Sequence, residues 1–190
     1  MKAMDVQVVP RILRRRSWPI IFGILVVGLG VGMSFAVLKV SSMSGFRTGW
    51  QGVPIYLALA GVSGRIANCK VVLREADLLV INPLRTHTIP LGLIGGASVS
   101  DDGTLEVRID EYRKIPAFAF GGSLIDHYVG SSEGAKRKID DWLDSRRPVS
   151  EVKTTLLVRW TRCTPADFSL ALSVVISVAG AVWMALSGSS

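Results

Sequence analysis

Cysteine and histidine are almost missing from this chain, with two of each in 190 residues. Cys69 and Cys163 stand far apart, with no CxxC and no histidine at metal-ligand spacing, so neither a disulfide framework nor a zinc site has a foundation. They suit a reducing compartment as two small buried hydrophobes, with one long-range bridge as the alternative. Aromatic residues make up only 7% of the chain, and no row of them flanks a basic strip, so the stacking platforms of a nucleic-acid binder are lacking. Catalytic signatures are lacking too. Gly121-Gly122-Ser123 before Leu124 has neither the lysine and spacing of a P-loop nor the GxSxG elbow. His87 and His127 have no Cys, Asp or Glu arrangement around them, and the carboxylates fall in turns and on a helix exterior. The reading therefore names no catalytic residue, no metal and no cofactor.

Hydrophobic residues, by contrast, make up 49% of the chain and gather in runs. Trp18 to Leu38 holds no charge and is long enough, at ~1.5 Å per residue, to cross a ~30 Å hydrocarbon core. It exceeds the ~7–15 residues of a signal-peptide apolar region, which is its main rival. A second uncharged run, Phe168 to Leu186, follows Asp167, and the span is set at 167–187. A third, 48–64, is short and carries Pro54; it reads as a second transmembrane helix, against a re-entrant or interfacial helix. Gly28 and Gly32 in the first span, and Ser169, Ser173, Ser177 and Ala181 in the last, repeat every four residues and offer close helix packing, within the chain or in a homo-oligomer.

The formal charge of +7 is unevenly placed. Arg11, Arg14, Arg15 and Arg16 crowd a basic tail, 1–17, whereas Arg65 to Arg162 mixes both signs almost evenly. Because short basic loops stay in the cytoplasm, three spans put the tail and the middle region inside, with only Lys39 and Arg47 on the outer side. If 48–64 does not cross, the middle region is exported.

From Asn68 the periodicity becomes that of short strands. Cys69–Arg74 and Leu78–Asn82 form a hairpin, Arg85–Leu91 follows the Asn82-Pro83 turn, and Asp101-Asp102-Gly103 turns into Thr104–Ile109, with Tyr112–Phe120 pairing back. A weak helical pattern over Leu124–Val129 precedes a clear one over Ser132–Ser145, whose Ala135, Ile139, Trp142 and Leu143 share a face. Val152–Trp160 reads either as a last strand or as the approach to the final span. The expected class is α+β: a small antiparallel sheet or barrel capped by a C-terminal helix and flanked by transmembrane helices.

The run CKVVLREADLLVINPLRTHTIPL, with GTLEVRI and a helix bearing a buried Trp after it, resembles the bacterial pleckstrin-homology-like domains of actinobacterial membrane proteins. The resemblance spans the middle half of the chain and implies a cytoplasmic domain over 65–162 behind paired spans. The chain departs from that pattern in its extra C-terminal span. It also has Glu75 and Asp77 in the loop where phosphoinositide-binding members carry Lys and Arg, so that ligand does not transfer. The expected function is a multi-pass membrane protein presenting this domain to a membrane or cytoplasmic protein partner, or scaffolding at the membrane surface. A second expectation is sensing of anionic membrane lipids, or envelope maintenance, through Arg85, His87, Arg113 and Lys114. A membrane enzyme of unrecognised type ranks third.

Overall fold

The computed structural model describes residues 10–15, 17–110, 113–121, 131–146 and 155–187. It is an α+β chain that divides into two compact units, one holding 1–15 with 69–161 and the other 16–68 with 162–190.

The first unit contains two antiparallel sheets. Strands β1 (Arg11–Leu13), β2 (Lys70–Leu73), β3 (Asp77–Ile81), β4 (Arg85–Pro90) and β8 (Leu157–Trp160) form a five-stranded sheet in the order β1-β2-β3-β4-β8. Strands β5 (Gly96–Val99), β6 (Leu105–Arg108) and β7 (Lys114–Pro116) form a three-stranded meander. Alternation decides which side of the larger sheet is buried. Leu13, Val71 and Val80 fall in one cross-strand row and Leu73, Leu78 and Ile89 in the next, all of them buried. Helix α4 (Ser131–Asp144) lies against β5 and β6 and adds Ala135, Ile139 and Trp142 to the same core, with Leu143 partly buried beside it.

Two strands were hidden in the sequence. Arg11–Leu13, which reads as part of a basic tail, pairs with β2 through Arg11↔Leu73, Ile12↔Val72 and Leu13↔Val71. Gly96–Val99 lacks the long apolar alternation of its neighbours, yet it pairs with β6. The stretch ending at Trp160 resolves as a strand over its last four residues. The turn into β6 depends on Gly103 at φ 82°, while Asp102 accepts from the Thr104 N–H and hydroxyl, each at 2.9 Å. Those bonds hold the Asp102 carboxyl below its ordinary pKa. The helical pattern over Leu124–Val129 lies outside the described residues.

The second unit is helical: α1 (Ser17–Ser44), a single turn α2 (Phe46–Gly49), α3 (Gly52–Ala67) and α5 (Thr164–Ser187). Two of these, α1 and α5, are long and apolar enough to cross a membrane. No residue of α1 is buried, and Ile24 and Phe35 are 69% and 70% exposed, so protein packing does not cover its apolar surface as it would in a soluble core helix. That apolar surface points to association with a membrane. The 48–64 stretch is broken at Trp50 and Gln51, and Pro54 falls in the first turn of α3, where its missing N–H costs nothing.

Helix α3 packs against α1 and α5, and small residues permit the approach. A Cβ on Gly30 would meet the Tyr56 hydroxyl at 2.9 Å, and one on Gly61 would meet Leu170 at 2.6 Å. One on Gly180 would overlap the Trp50 ring. A Gly180→Val variant is therefore expected to lower the thermal unfolding temperature in detergent, and Trp50→Ala in the same chain to restore much of the loss. A double variant no better than the single one would show that the ring does not set this contact.

Candidate functional site

The tight β3–β4 turn organises one end of the sheet unit. Asn82 N–H donates to the Arg85 carbonyl at 3.0 Å, closing a turn in which Pro83 fixes the backbone. The Asn82 side chain then reaches the second sheet: Nδ2 donates to the Pro116 carbonyl at 2.9 Å, and Oδ1 accepts from Phe118 N–H at 2.8 Å. Its carbonyl accepts the buried Thr161 hydroxyl at 2.8 Å, and Thr161 N–H donates to Leu84 at 3.0 Å. Since the Thr161 proton is committed to Asn82, the Thr86 hydroxyl donates to Thr161 across 2.9 Å. This network fixes the end of β8 against the start of β4. The sequence marked Asn82 as a turn residue only; its amide role depended on knowing that β7 ends beside it.

Arg85 and His87 follow on β4, two positions apart and so on one side of the strand, opposite Trp160 and Val158 of β8. Arg85 is exposed and makes no ion pair among the described residues. His87 is half-buried between Val80 and Val158, and burial first, with the Arg85 charge second, lowers its pKa below 6.5. Its Nδ1 is buried without a hydrogen-bond partner among the described residues. A neutral imidazole adds no positive charge for an anionic ligand at neutral pH. Arg113 and Lys114 lie on or next to β7 in the other sheet, where Lys114 is paired to Glu106 at 3.1 Å and Arg113 is exposed. The four residues thus form two separate pairs on two sheets, and among the described residues Arg85 and Arg113 carry positive charge outside any ion pair.

In the helical unit, Ser169 Oγ donates to the Leu57 carbonyl at 2.8 Å and Ser173 Oγ to the Pro54 carbonyl at 2.7 Å. These serines bind α5 to α3, each worth roughly 0.6–2 kcal/mol in a membrane. Ser177 and Ala181 are exposed, because a four-residue step overshoots a 3.6-residue turn and the stripe rotates away from α3. Gly28 and Gly32 are exposed with nothing of this chain within 4 Å of their Cβ positions. An ion pair absent from the sequence reading sits here: Arg65, in the last turn of α3 and only 7% exposed, meets Asp167 in the first turn of α5 at 2.5 Å. Asp167 also accepts from Cys163 N–H at 3.2 Å, capping α5. Each charge complements the dipole end it occupies. Opposite charges ending one apolar run and opening another were the available signal.

No group of three or more His, Cys, Asp and Glu capable of holding a metal occurs among the described residues. Cys69 is buried and Cys163 half-buried, and neither forms a disulfide among the described residues. A groove of about 810 Å³ runs between α1 and α3, but Val31, Phe35, Leu38 and Val53 make its walls apolar. Gly122, Ser123 and His127 lie outside the described residues. Comparison with family models, with curated proteins and with solved structures found no match to this chain.

Two outcomes follow. Between pH 6.5 and the lower folded-state value of His87, the unfolded chain binds the proton that the folded chain refuses, so stability falls as pH drops through that window. Denaturant midpoints of detergent-solubilised protein measured across it should show that slope, and His87→Gln should flatten it. Arg65→Met strands Asp167 and should cost roughly 3 kcal/mol, at the low end for a buried pair because the Asp167 side chain is 36% exposed. Adding Asp167→Asn, which keeps an acceptor for Cys163 N–H, should recover most of that loss in thermal unfolding.

Proposed function

We propose that this chain is a multi-pass membrane protein that presents a pleckstrin-homology-like domain on the cytoplasmic side, for protein–protein interaction or for scaffolding at the membrane surface. The observation that carries the reading is the pairing of β1 with β2. One strand precedes α1 and the other follows α3, so the segment between them starts and finishes in the same sheet. A segment with both ends on one side of a bilayer crosses an even number of times. If α1 crosses, α3 is the element that returns. At 16 residues it reaches ~24 Å, short for a ~30 Å core, and a shortfall of that size is met by local thinning of the bilayer.

Orientation rests on charge. Arg14 and Arg15 before α1, Arg65 and Lys70 around the end of α3, and Arg159 and Arg162 before α5 all flank the sheet-side ends of the helices, as cytoplasmic residues do. Lys39 and Arg47 fall on the opposite side and count against this, but the Arg47 guanidinium donates to the Met184 carbonyl at 3.2 Å, one of the acceptors left open in the last turn of α5. Its position has a local structural cause. The domain reading draws on two antiparallel meanders followed by an amphipathic helix that closes the core with Trp142. A second reading, anionic-lipid sensing, is favoured by Arg85 and Arg113, which are exposed and make no ion pair among the described residues.

Cysteine mapping tests the topology. With Cys69→Ala and Cys163→Ser as background, Met43→Cys should react with an impermeant maleimide on intact cells. Glu75→Cys, at the exposed β2–β3 turn, should react only after lysis. Labelling of the Glu75 position from outside would overturn the assignment.

A further inference from the structure

β8 is unlike the other strands, because all four of its residues are exposed. Leu157, Val158 and Trp160 are 49%, 48% and 61% exposed, and the strand ends the sheet order, so its outer side has no strand neighbour among the described residues. Leu157 and Arg159 point to one face, Val158 and Trp160 to the other. In water, such an edge is a template for aggregation, and proteins normally blunt it with proline, a bulge or a covering element. Among the described residues, this strand carries no proline and no bulge, and no other strand pairs with its outer side. There is instead a charge pattern: β4 and β8 together carry Arg85 and Arg159 and no carboxylate, and neither arginine forms an ion pair among the described residues.

Tryptophan and aliphatic side chains mixed with arginine match the boundary between headgroups and acyl chains, where an indole can bury its ring and keep its N–H wet. Trp160 precedes the first residue of α5 by four positions, a stretch that reaches at most ~14 Å even when extended. We propose that the β8 edge is a membrane-docking strand. It seats edge-on in a bilayer surface carrying anionic headgroups, with Leu157, Val158 and Trp160 entering the boundary and Arg85 and Arg159 meeting lipid phosphates. The headgroup layer is hydrated, so backbone groups on the outer side of the strand can be satisfied by water there, as they would not be in hydrocarbon. The inference rests on the membrane reading above but not on which side the sheet faces.

The test uses the full chain with Cys69→Ala and Cys163→Ser, a fluorophore on Val158→Cys or, as control, on Asp101→Cys, and vesicles of phosphatidylcholine with or without phosphatidylglycerol. With phosphatidylglycerol present, the label at 158 should be quenched by a headgroup-level spin-labelled lipid and shielded from aqueous iodide, and the label at 101 should show the reverse. Replacing Arg85 and Arg159 by Gln should reduce the docked-to-free ratio by about fivefold per arginine without moving the unfolding temperature. Iodide access at 158 equal to that at 101 in both vesicles would falsify the proposal. Lipid quenching indifferent to phosphatidylglycerol defeats its anionic part, and crosslinking of two labelled edges defeats it in favour of a second copy. Reconstitution inserts the chain both ways, so an error in cellular sidedness leaves this result intact.

Discussion

Three residue pairs between β1 and β2 constrain everything else in this chain. They join the residues before the longest apolar helix to the residues after α3, and so tie the ends of the helical excursion into one sheet. The cost of ordering such a distant pair is met by what the register buries. Leu13 sits in the row of Val71 and Val80, on the side of the sheet that forms the core, so the strand enters by filling a hydrophobic position as well as by its backbone bonds. A shift of one residue would bring Ile12, which is 56% exposed, into that row and turn Leu13 outward.

The helices are held by a different balance. Burying α5 against α3 gains little from the hydrophobic effect if lipid surrounds both, so close approach at Gly61, Gly64 and Ala166, and hydroxyls donated to helix carbonyls, carry the association. The Arg65–Asp167 pair adds specificity, because a charge buried at a helix end tolerates few partners. Charged side chains act at the ends of the bundle: Arg65 with Asp167 at one, Arg47, beside Gln51, with Met184 at the other. The middle of α1 is left to apolar and small side chains.

What could be read from the sequence was whatever depends on local pattern. The apolar runs, the β2–β3 hairpin, the Asp102-Gly103 turn and the face of α4 each follow from spacing within a dozen residues, and each recurs in the structure within a few positions. What could not be read depends on a distant neighbour. Arg11–Leu13 is a strand because β2 offers an edge, and Gly96–Val99 is one because β6 does; neither has a propensity that separates it from a loop. The candidate residues divide the same way. Ser169 and Ser173 were visible as a small-residue stripe, but only the helix phase shows that Ser177 and Ala181 leave it. Arg85 and His87 were adjacent on paper and remain so, whereas Lys114 is drawn off by Glu106 from the neighbouring strand.

The β1–β2 pairing also makes the globular half discontinuous in sequence. During synthesis the first strand leaves the ribosome a whole helical excursion before its partner, so that edge of the sheet must wait until the intervening helices have been made. A fragment excised at Cys69 would lack its outermost ribbon and present the bare flank of Val71 and Leu73 to solvent. A tag fused just ahead of Arg11 would abut a structural seam rather than a dispensable leader.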